Sequence, residues 1–132
     1  MIAATFIKPY SIKPLPFKIG KPNFGEVLVK VHKAGICGSD LAIVSGQHPR
    51  ARPPMVVGHE FSGEIVELGN NDDNHLQIGS RVTVFPLLVC GNCYACRNKF
   101  SHVCSTLRLI GFDRTGGMAE YVTVPIGLIV PL

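Results

Sequence analysis

The sequence lacks tryptophan, any pair of glycines separated by one residue, and any long apolar run. The missing G-x-G pattern excludes the fingerprint loop with which doubly wound domains bind a dinucleotide. No segment approaches the ~20 apolar residues of a transmembrane helix. The first 21 residues contain three prolines and no apolar run long enough for the core of a signal peptide. We therefore expect no membrane partner and a cytoplasmic location.

Clustered basic residues are also lacking, although the net charge is +4. The lysines of the first segment are scattered, which is typical of a solvated face: Lys8, Lys13, Lys18 and Lys21. Nucleic-acid binding requires a concentrated basic stripe, ideally with aromatic residues between the charges. We therefore expect no nucleic-acid partner, and a zinc-ribbon nucleic-acid binder is disfavoured.

The composition favours one mainly β domain. A chain of 132 residues can bury one core, and its 14 glycines and 10 prolines indicate many turns. Hydrophobic alternation and β-branched residues predict strands over 26–32, 61–68, 81–85 and 118–124, with an extended edge strand within 5–18. Val27, Val29 and Val31 should share the buried face of the first of these strands, and His32 should be exposed. Gly63 is expected to mark a bulge or a close backbone approach.

The segments between the strands are predicted to be short and irregular. A helical turn is expected over 40–45, and a polar, turn-rich loop over 69–74. No alternation of strands with helices is visible. The pattern predicts a small β-barrel or a strongly bent sheet.

Four of the five cysteines lie within one short segment, which indicates metal binding in a reducing compartment rather than disulfides. Their spacing, C-x2-C-x2-C-x7-C, allows one loop to surround a tetrahedral zinc ion as a closed structural site. An iron–sulfur cluster is the main rival, but the bacterial ferredoxin pattern closes with x3 and Cys-Pro, whereas here Ser105 follows the last cysteine. Ordinary buried thiols do not recur at every third position. His102 lies in the same segment as an alternative ligand. The predicted structural ligands are Cys90, Cys93, Cys96 and Cys104.

A second candidate site combines Cys37 with His59 and Glu60. Each residue alone would be an ordinary core or surface residue, but cysteine, histidine and glutamate are ligand types that zinc prefers, and glycines flank both motifs. We interpret them as an open, catalytic zinc site in which zinc acts as a Lewis acid on an alcohol. Asp40 would then accept the free ring N–H of His59. Ser39 would pass on the proton of the alcohol.

The two constellations together resemble the zinc-dependent medium-chain alcohol dehydrogenases. Residues 58–69 reproduce the pattern G-H-E-x2-G-x5-G of that family, and residues 90–104 reproduce its four-cysteine lobe. Residues 116–121 are similar to its Gly-Gly-x-Ala-Glu-Tyr strand, and residues 35–40 to the polyol and threonine dehydrogenase branch. The resemblance extends from about residue 26 to residue 132.

This resemblance implies a GroES-like, partly open β-barrel over residues 1–132, with short helices and a zinc lobe at about residues 86–108. It implies a catalytic zinc ion held by Cys37 and His59, with Glu60 or a later residue as the third ligand. Full-length members transfer a hydride between a small alcohol or polyol and NAD or NADP. The nucleotide-binding domain is absent from this chain, so we expect that the chain alone does not transfer hydride. An exposed apolar patch is expected where that domain docks, with self-association as one consequence.

The sequence departs from the family pattern at two places. Ala42 occupies the position at which many relatives carry a histidine that passes the proton to solvent, and His48 lies too far along the chain to be assumed its replacement. Asp72 stands where a small or apolar residue is expected. A standalone zinc-stabilised binding module without catalysis remains the alternative function.

Overall fold

The computed structural model of the chain describes residues 1–69 and 76–132. The polar loop predicted over 69–74, with Asp72, therefore lies outside the described residues except for Gly69. Ten strands and two short α-helices occur in the described ranges. In chain order they are β1 Ile2–Lys8, β2 Ser11–Pro16, β3 Glu26–Ala34, α1 Gly38–Val44, β4 Met55–Val56, β5 Phe61–Leu68, β6 Arg81–Val84, β7 Leu87–Leu88, α2 Tyr94–Arg97, β8 Arg108–Leu109, β9 Tyr121–Pro125 and β10 Ile129–Pro131.

The strands form three sheets that do not close into a continuous barrel. The largest sheet has the order β10-β6-β5-β3-β9, a smaller one has β2-β1-β4, and β7 pairs with β8. All the strand pairs are antiparallel. An isolated bridge between Ala3 and Ala119 joins the two larger sheets at one point. This architecture confirms the prediction of a mainly β, partly open fold.

Strand β3 lies inside the largest sheet, between β5 and β9. Val27 and Val29 are fully buried on it and His32 is exposed, as the alternation predicted, while Val31 is only half-buried. Side chains from every strand of the sheet pack around these valines and form the main core. Ile65, Val82 and Val122 are among its buried members. At roughly 1.5–3 kcal/mol for each fully buried aliphatic side chain, this cluster is the chief stabilising element of the sheet.

Gly63 marks a close approach of two strands, as predicted. The β3–β5 register shifts between Val31 and Lys33, opposite Gly63. A Cβ atom on Gly63 would lie 2.0 Å from the carbonyl oxygen of Lys30. Only glycine therefore allows β5 to pair with β3 at this point.

The prediction of one edge strand within 5–18 was wrong, because the segment folds into the β1–β2 hairpin. The chain reverses at Pro9 and Tyr10, and Tyr10 adopts a left-handed conformation with φ of 60°. Proline fixes its own φ, but a tyrosine in the left-handed region carries no sequence signal. Strand β10, which pairs with β6, was also not predicted.

An exposed apolar groove of about 650 Å³ runs along the junction of the two larger sheets. Ile36 and Ile2 stand at this groove with exposed fractions of 74% and 47%. The expected exposed apolar patch is therefore present, and its occupant stays a prediction. No helix in the two described ranges has the length and apolar character needed to cross a bilayer.

An ion pair attaches the loop before β9 to the start of β3. Arg114 Nη2 lies 2.5 Å from Glu26 Oε1, and the backbone N–H of Asn23 donates to Glu26 Oε2 at 3.0 Å. Burial raises the pKa of the Glu26 carboxyl, but the hydrogen bonds from Asn23 and Arg114 outweigh burial and lower its pKa below the ordinary value. The ionised carboxylate therefore stabilises the fold above its unfolded-state pKa, and this stabilisation is lost as the pH falls through the lowered folded-state pKa.

We expect Glu26→Gln to lower the free energy of unfolding by about 1 kcal/mol at pH 7, because it replaces a charge-assisted hydrogen bond with a neutral one. The difference from the parent should shrink as the pH falls through the lowered folded-state pKa of Glu26 and vanish below it, where the parent carboxyl is protonated in both states. Urea unfolding of both proteins from pH 3 to pH 7 measures this. Glu67→Gln, on an exposed position of β5, is the matched control. Parallel stability curves for Glu26→Gln and the parent would contradict the role of the pair.

Candidate metal centres

Cys37, His59 and Glu60 converge at one end of the β3–β5 pair. Strand β3 ends at Ala34, which pairs with Phe61 at the start of β5, so the segment after β3 lies beside the segment before β5. The backbone N–H of Gly35 donates to the carbonyl of Glu60 at 2.7 Å. The cysteine sulfur, one histidine ring nitrogen and one glutamate oxygen all lie within 4.8 Å of one another.

Asp40 orients the segment that carries Cys37. It occupies the third position of α1, and its Oδ2 atom accepts the backbone N–H of Cys37 at 2.8 Å, which closes half of a capping box. Its Oδ1 atom lies 3.6 Å from His59 Nδ1, and both atoms are buried without a hydrogen-bond partner among the described residues. A buried carboxylate facing a buried ring nitrogen is the arrangement that fixes the tautomer of a metal-binding histidine.

Ser39 lies on the other side of the imidazole. Its hydroxyl is 3.3 Å from His59 Nε2, so the two nitrogens of His59 face two different polar groups. If Nδ1 carries the hydrogen towards Asp40, then Nε2 is free to bind a metal ion. The structure thus places Ser39, Asp40, Cys37, His59 and Glu60 in one cluster. Ala42 is half-buried on α1.

Close backbone contacts on the residues just before His59 hold this histidine in place. Gly58 has φ of +98°, and a Cβ atom there would lie 2.7 Å from the backbone nitrogen of Met118. Gly111 has φ of +82° and packs its Cα against the backbone of Gly58. The N–H groups of Gly117 and Met118 donate to the carbonyls of Gly58 and Val57 at 2.8 and 3.0 Å. Residues 110–118 therefore form a backbone clasp around the histidine.

An aromatic wall that the sequence did not reveal borders the same histidine. The ring of Phe112 lies 5.4 Å from the ring of His59 and 4.7 Å from the ring of His48. The backbone N–H of Arg50 donates to Nδ1 of His48 at 3.2 Å, and the guanidinium of Arg50 pairs with Asp113. The contacts of Phe112 and Asp113 join residues more than 50 positions apart, so no local pattern could have indicated them.

The four predicted lobe cysteines form the second cluster, and their sulfur atoms all lie within 4.8 Å of one another. The separations are 3.5 Å for Cys90–Cys104 and 4.0 Å for both Cys90–Cys96 and Cys93–Cys104. A tetrahedron with zinc–sulfur bonds of about 2.3 Å requires sulfur separations of about 3.8 Å. The thiols are free rather than paired as disulfides. His102 lies outside the cluster, with its ring at the edge of Phe100.

Backbone N–H groups favour the thiolate form, which binds cations, at two of these cysteines. Those of Cys96 and Ser105 lower the pKa of the Cys93 thiol to about 5, and those of Cys90 and Thr106 lower the pKa of Cys104. Burial among the other sulfurs raises the pKa of the Cys96 thiol to about 12. Because the thiolate is the form that binds metal, a cation in the cluster replaces the proton that Cys96 otherwise keeps.

Both clusters fit zinc by the chemistry of their donor atoms. The lobe offers four sulfurs, which matches a closed structural site, and the other cluster offers one sulfur, one nitrogen and one oxygen. Three protein ligands leave a position open, as in catalytic zinc sites. The buried Asp40–His59 pair is the second observation that favours a metal there, because a carboxylate facing one ring nitrogen is the arrangement that orients a metal-binding histidine.

Comparison with known proteins agrees with this picture. The profile of the Alcohol dehydrogenase GroES-like domain family matches residues 23–132. The L-threonine 3-dehydrogenase of Pyrococcus horikoshii is 40% identical over 129 residues, which are 95% of this chain and 37% of that enzyme. The crystal structure of a short chain alcohol dehydrogenase (rspB) from E. coli CFT073 with the cofactor NADH superposes with a TM-score of 0.92 at 38% identity, covering all of this chain and 38% of the other.

A third similar structure is that of galactitol-1-phosphate dehydrogenase from Escherichia coli, with a TM-score of 0.93 and 32% identity. It is likewise covered over 38% of its length, with all of this chain matched. The chain therefore spans less than two fifths of these relatives. Because the family match covers residues 23–132 and the backbone superposes over the whole chain, the chain belongs to the Alcohol dehydrogenase GroES-like domain family.

Proposed function

We propose that residues 1–132 are the zinc-holding part of an NAD- or NADP-linked dehydrogenase that acts on a small alcohol or polyol. The convergence of a sulfur, a nitrogen and an oxygen ligand within 4.8 Å beside a serine hydroxyl carries the proposal. The similarity to threonine and galactitol-1-phosphate dehydrogenases supports an alcohol as substrate.

In this proposal Cys37, His59 and Glu60 hold the catalytic zinc ion. Zinc supplies a Lewis acid that makes the hydroxyl of an alcohol more acidic. Ser39 would relay the hydroxyl proton, its oxygen accepting that proton as its own hydroxyl proton passes on towards solvent; its oxygen lies 3.3 Å from Nε2 of His59. Asp40 holds His59 in the correct tautomer, and it fixes the backbone of Cys37 by accepting that residue's N–H. With Ala42 on α1, the proton reaches solvent by a path other than a histidine at that position.

We further propose that Cys90, Cys93, Cys96 and Cys104 hold a structural zinc ion in a lobe at about residues 86–108. The lobe has little regular structure besides α2 and the β7–β8 pair, and α2 contributes no buried residue. Metal binding of this kind releases on the order of 10–16 kcal/mol, which replaces the missing hydrophobic core.

The hydride acceptor requires a partner domain in this proposal. The chain covers 37% of its threonine dehydrogenase relative, and it contains no G-x-G fingerprint. We propose that a nucleotide-binding domain supplies the nicotinamide cofactor and that the 132-residue chain alone transfers no hydride. The rival function, a zinc-stabilised binding module without catalysis, requires metal in the cysteine lobe only.

The first test is metal content. We expect two zinc ions per chain in the parent and one in Cys37→Ala and in His59→Ala, because each variant removes a ligand of the catalytic site and leaves the lobe intact. Inductively coupled plasma mass spectrometry on dialysed protein measures this. His32→Ala, an exposed histidine on β3, is the matched control and should retain two ions. A parent with one ion, unchanged in Cys37→Ala, would favour the non-catalytic module.

The second test concerns the positioning role of Asp40. We expect Asp40→Asn to keep the stoichiometry of two but to weaken zinc binding at the catalytic site by about 10–100-fold, because the neutral amide no longer stabilises the tautomer of His59. Competition with a chelator of known affinity measures the loss, and the lobe ion is the internal reference. An unchanged affinity would show that Asp40 only caps α1.

The third test asks whether the site is open. With cobalt(II) in place of zinc, added imidazole should shift the visible ligand-field bands of the Cys37 site, because a fourth position accepts an external ligand. The absorption bands of cobalt(II) in the cysteine lobe should not shift, and Cys37→Ala should abolish the shift caused by imidazole. A spectrum that imidazole leaves unchanged would contradict an accessible catalytic ion.

A further inference from the structure

A second cavity, with a volume of about 230 Å³, has in its wall Phe112, the residue whose ring lies near that of His59. This volume is below the ~300–1,000 Å³ of pockets that hold a drug-sized ligand, so it suits a small group or one end of a molecule. Its walls come from the segment before β4, the segment after Gly111 and one aromatic residue after β2. The lining residues that matter for its chemistry are Phe17, Arg52, Phe112, Asp113, Arg114 and Thr115.

Most of the residues that line the cavity are apolar, and the cavity carries a net positive charge. Two arginines line it, and Asp113 is the only acidic residue among the lining residues. The carboxylate of Asp113 is already engaged, because it pairs with Arg50 and accepts the backbone N–H of Leu109 at 2.8 Å. The guanidinium of Arg114 likewise forms an ion pair, with Glu26, which does not line the cavity. Counting Arg50, Arg52 and Arg114 against Asp113 and Glu26 leaves one uncompensated positive charge, that of Arg52.

Arg52 is held in place while part of its guanidinium stays available. Its Nη1 donates to the backbone carbonyls of Pro49 and Ala51, both at 2.9 Å. The remaining N–H groups of the side chain have no protein partner in residues 1–69 and 76–132. A guanidinium that is fixed at one nitrogen and unpaired at the others can form a fork with a carboxylate or a phosphate.

Phe112 connects this cavity with the metal centre. Its ring packs 5.4 Å from the ring of His59, and the same residue forms part of the cavity wall. Phe112 is therefore common to the cavity that Arg52 lines and to the surroundings of His59, a ligand of the proposed catalytic zinc. A short substrate whose hydroxyl lies at the zinc site can place its other end near Phe112.

We propose that this cavity binds the anionic group of the substrate, a carboxylate or a phosphate, through Arg52. This assignment rests on the proposed function, and it narrows the substrate from any small alcohol to an acidic one. Arg52 acts as a specificity-determining residue, while Phe112 and Phe17 provide the apolar walls. Arg114 contributes positive charge but remains tied to the fold by Glu26.

The direct test measures the binding of inorganic phosphate to the zinc-loaded chain by isothermal titration calorimetry. We expect Arg52→Gln to weaken phosphate binding at least about tenfold, and Arg52→Lys to lie between it and the parent, because lysine keeps the charge but not the fork. Arg81→Gln, which removes the same charge at an exposed position of β6, is the control and should bind like the parent. Equal binding by the parent and Arg52→Gln would overturn the assignment.

A second measurement connects the cavity with the metal site. Glycerol, glycerate and glycerol 3-phosphate share one carbon skeleton and differ in their acidic group. In the cobalt-substituted chain, the two anions should perturb the catalytic cobalt bands at concentrations at least about tenfold lower than glycerol. The more potent anion identifies carboxylate or phosphate as the preferred group, and Arg52→Gln should remove the advantage. Equal potency of all three compounds would overturn the assignment.

Failure of the inference and failure of the proposed function give different results. If no cobalt binds at the Cys37 site, the proposed function fails whatever phosphate does. If cobalt binds there and responds to imidazole, but Arg52→Gln changes no anion response, then only the assignment of the cavity fails. Thermal unfolding of each variant establishes that the loss of the two carbonyl contacts of Arg52 has not unfolded the chain.

Discussion

The pairing of β3 with β5 is the constraint on which the candidate site depends. Because the strands are antiparallel, the residues that follow β3 and those that precede β5 meet at the same end of the sheet. Cys37 and His59 are 22 positions apart in sequence, and this pairing brings them together in space. Two glycines make the approach possible: Gly63 lets the backbones cross closely, and a Cβ on Gly35 would lie 2.8 Å from the carboxylate of Glu60. The register of one strand pair therefore decides whether three ligands can share an ion.

The two candidate metal centres solve different physical problems. Within residues 86–108, Cys104 is the one buried residue, so the four sulfurs, close enough for one ion, take the place of a core in the lobe. The other centre is built on rigid elements: β3, β5, α1 and the backbone clasp of residues 110–118 hold its ligands. Its donors are three rather than four, and Glu60 is exposed. A metal ion that catalyses a reaction requires both: ligands held by well-packed elements and a side of the site that a substrate can reach.

Patterns within short stretches of sequence predicted the features that depend on neighbouring residues, namely strands and the cysteine cluster. Strand β5 has the predicted bounds, β3 is two residues longer than predicted, and the cysteine spacing anticipated a cluster that the structure brings together. The β1–β2 hairpin was missed because its turn depends on a tyrosine with positive φ, which sequence preference argues against. The Phe112 wall, the Arg50–Asp113 pair and the cavity at Arg52 involve segments that meet only through the tertiary fold. No periodicity or motif could have shown them.

The central claim is that one metal ion lies between Cys37, His59 and Glu60 with a coordination position left open. Anomalous scattering from crystals of the zinc-loaded chain, recorded at the zinc absorption edge, tests it most directly. We predict two anomalous peaks per chain: one surrounded by four sulfurs, and one that contacts one sulfur, one imidazole nitrogen, one carboxylate oxygen and a ligand not supplied by the protein. A single peak within the cysteine lobe would contradict the claim.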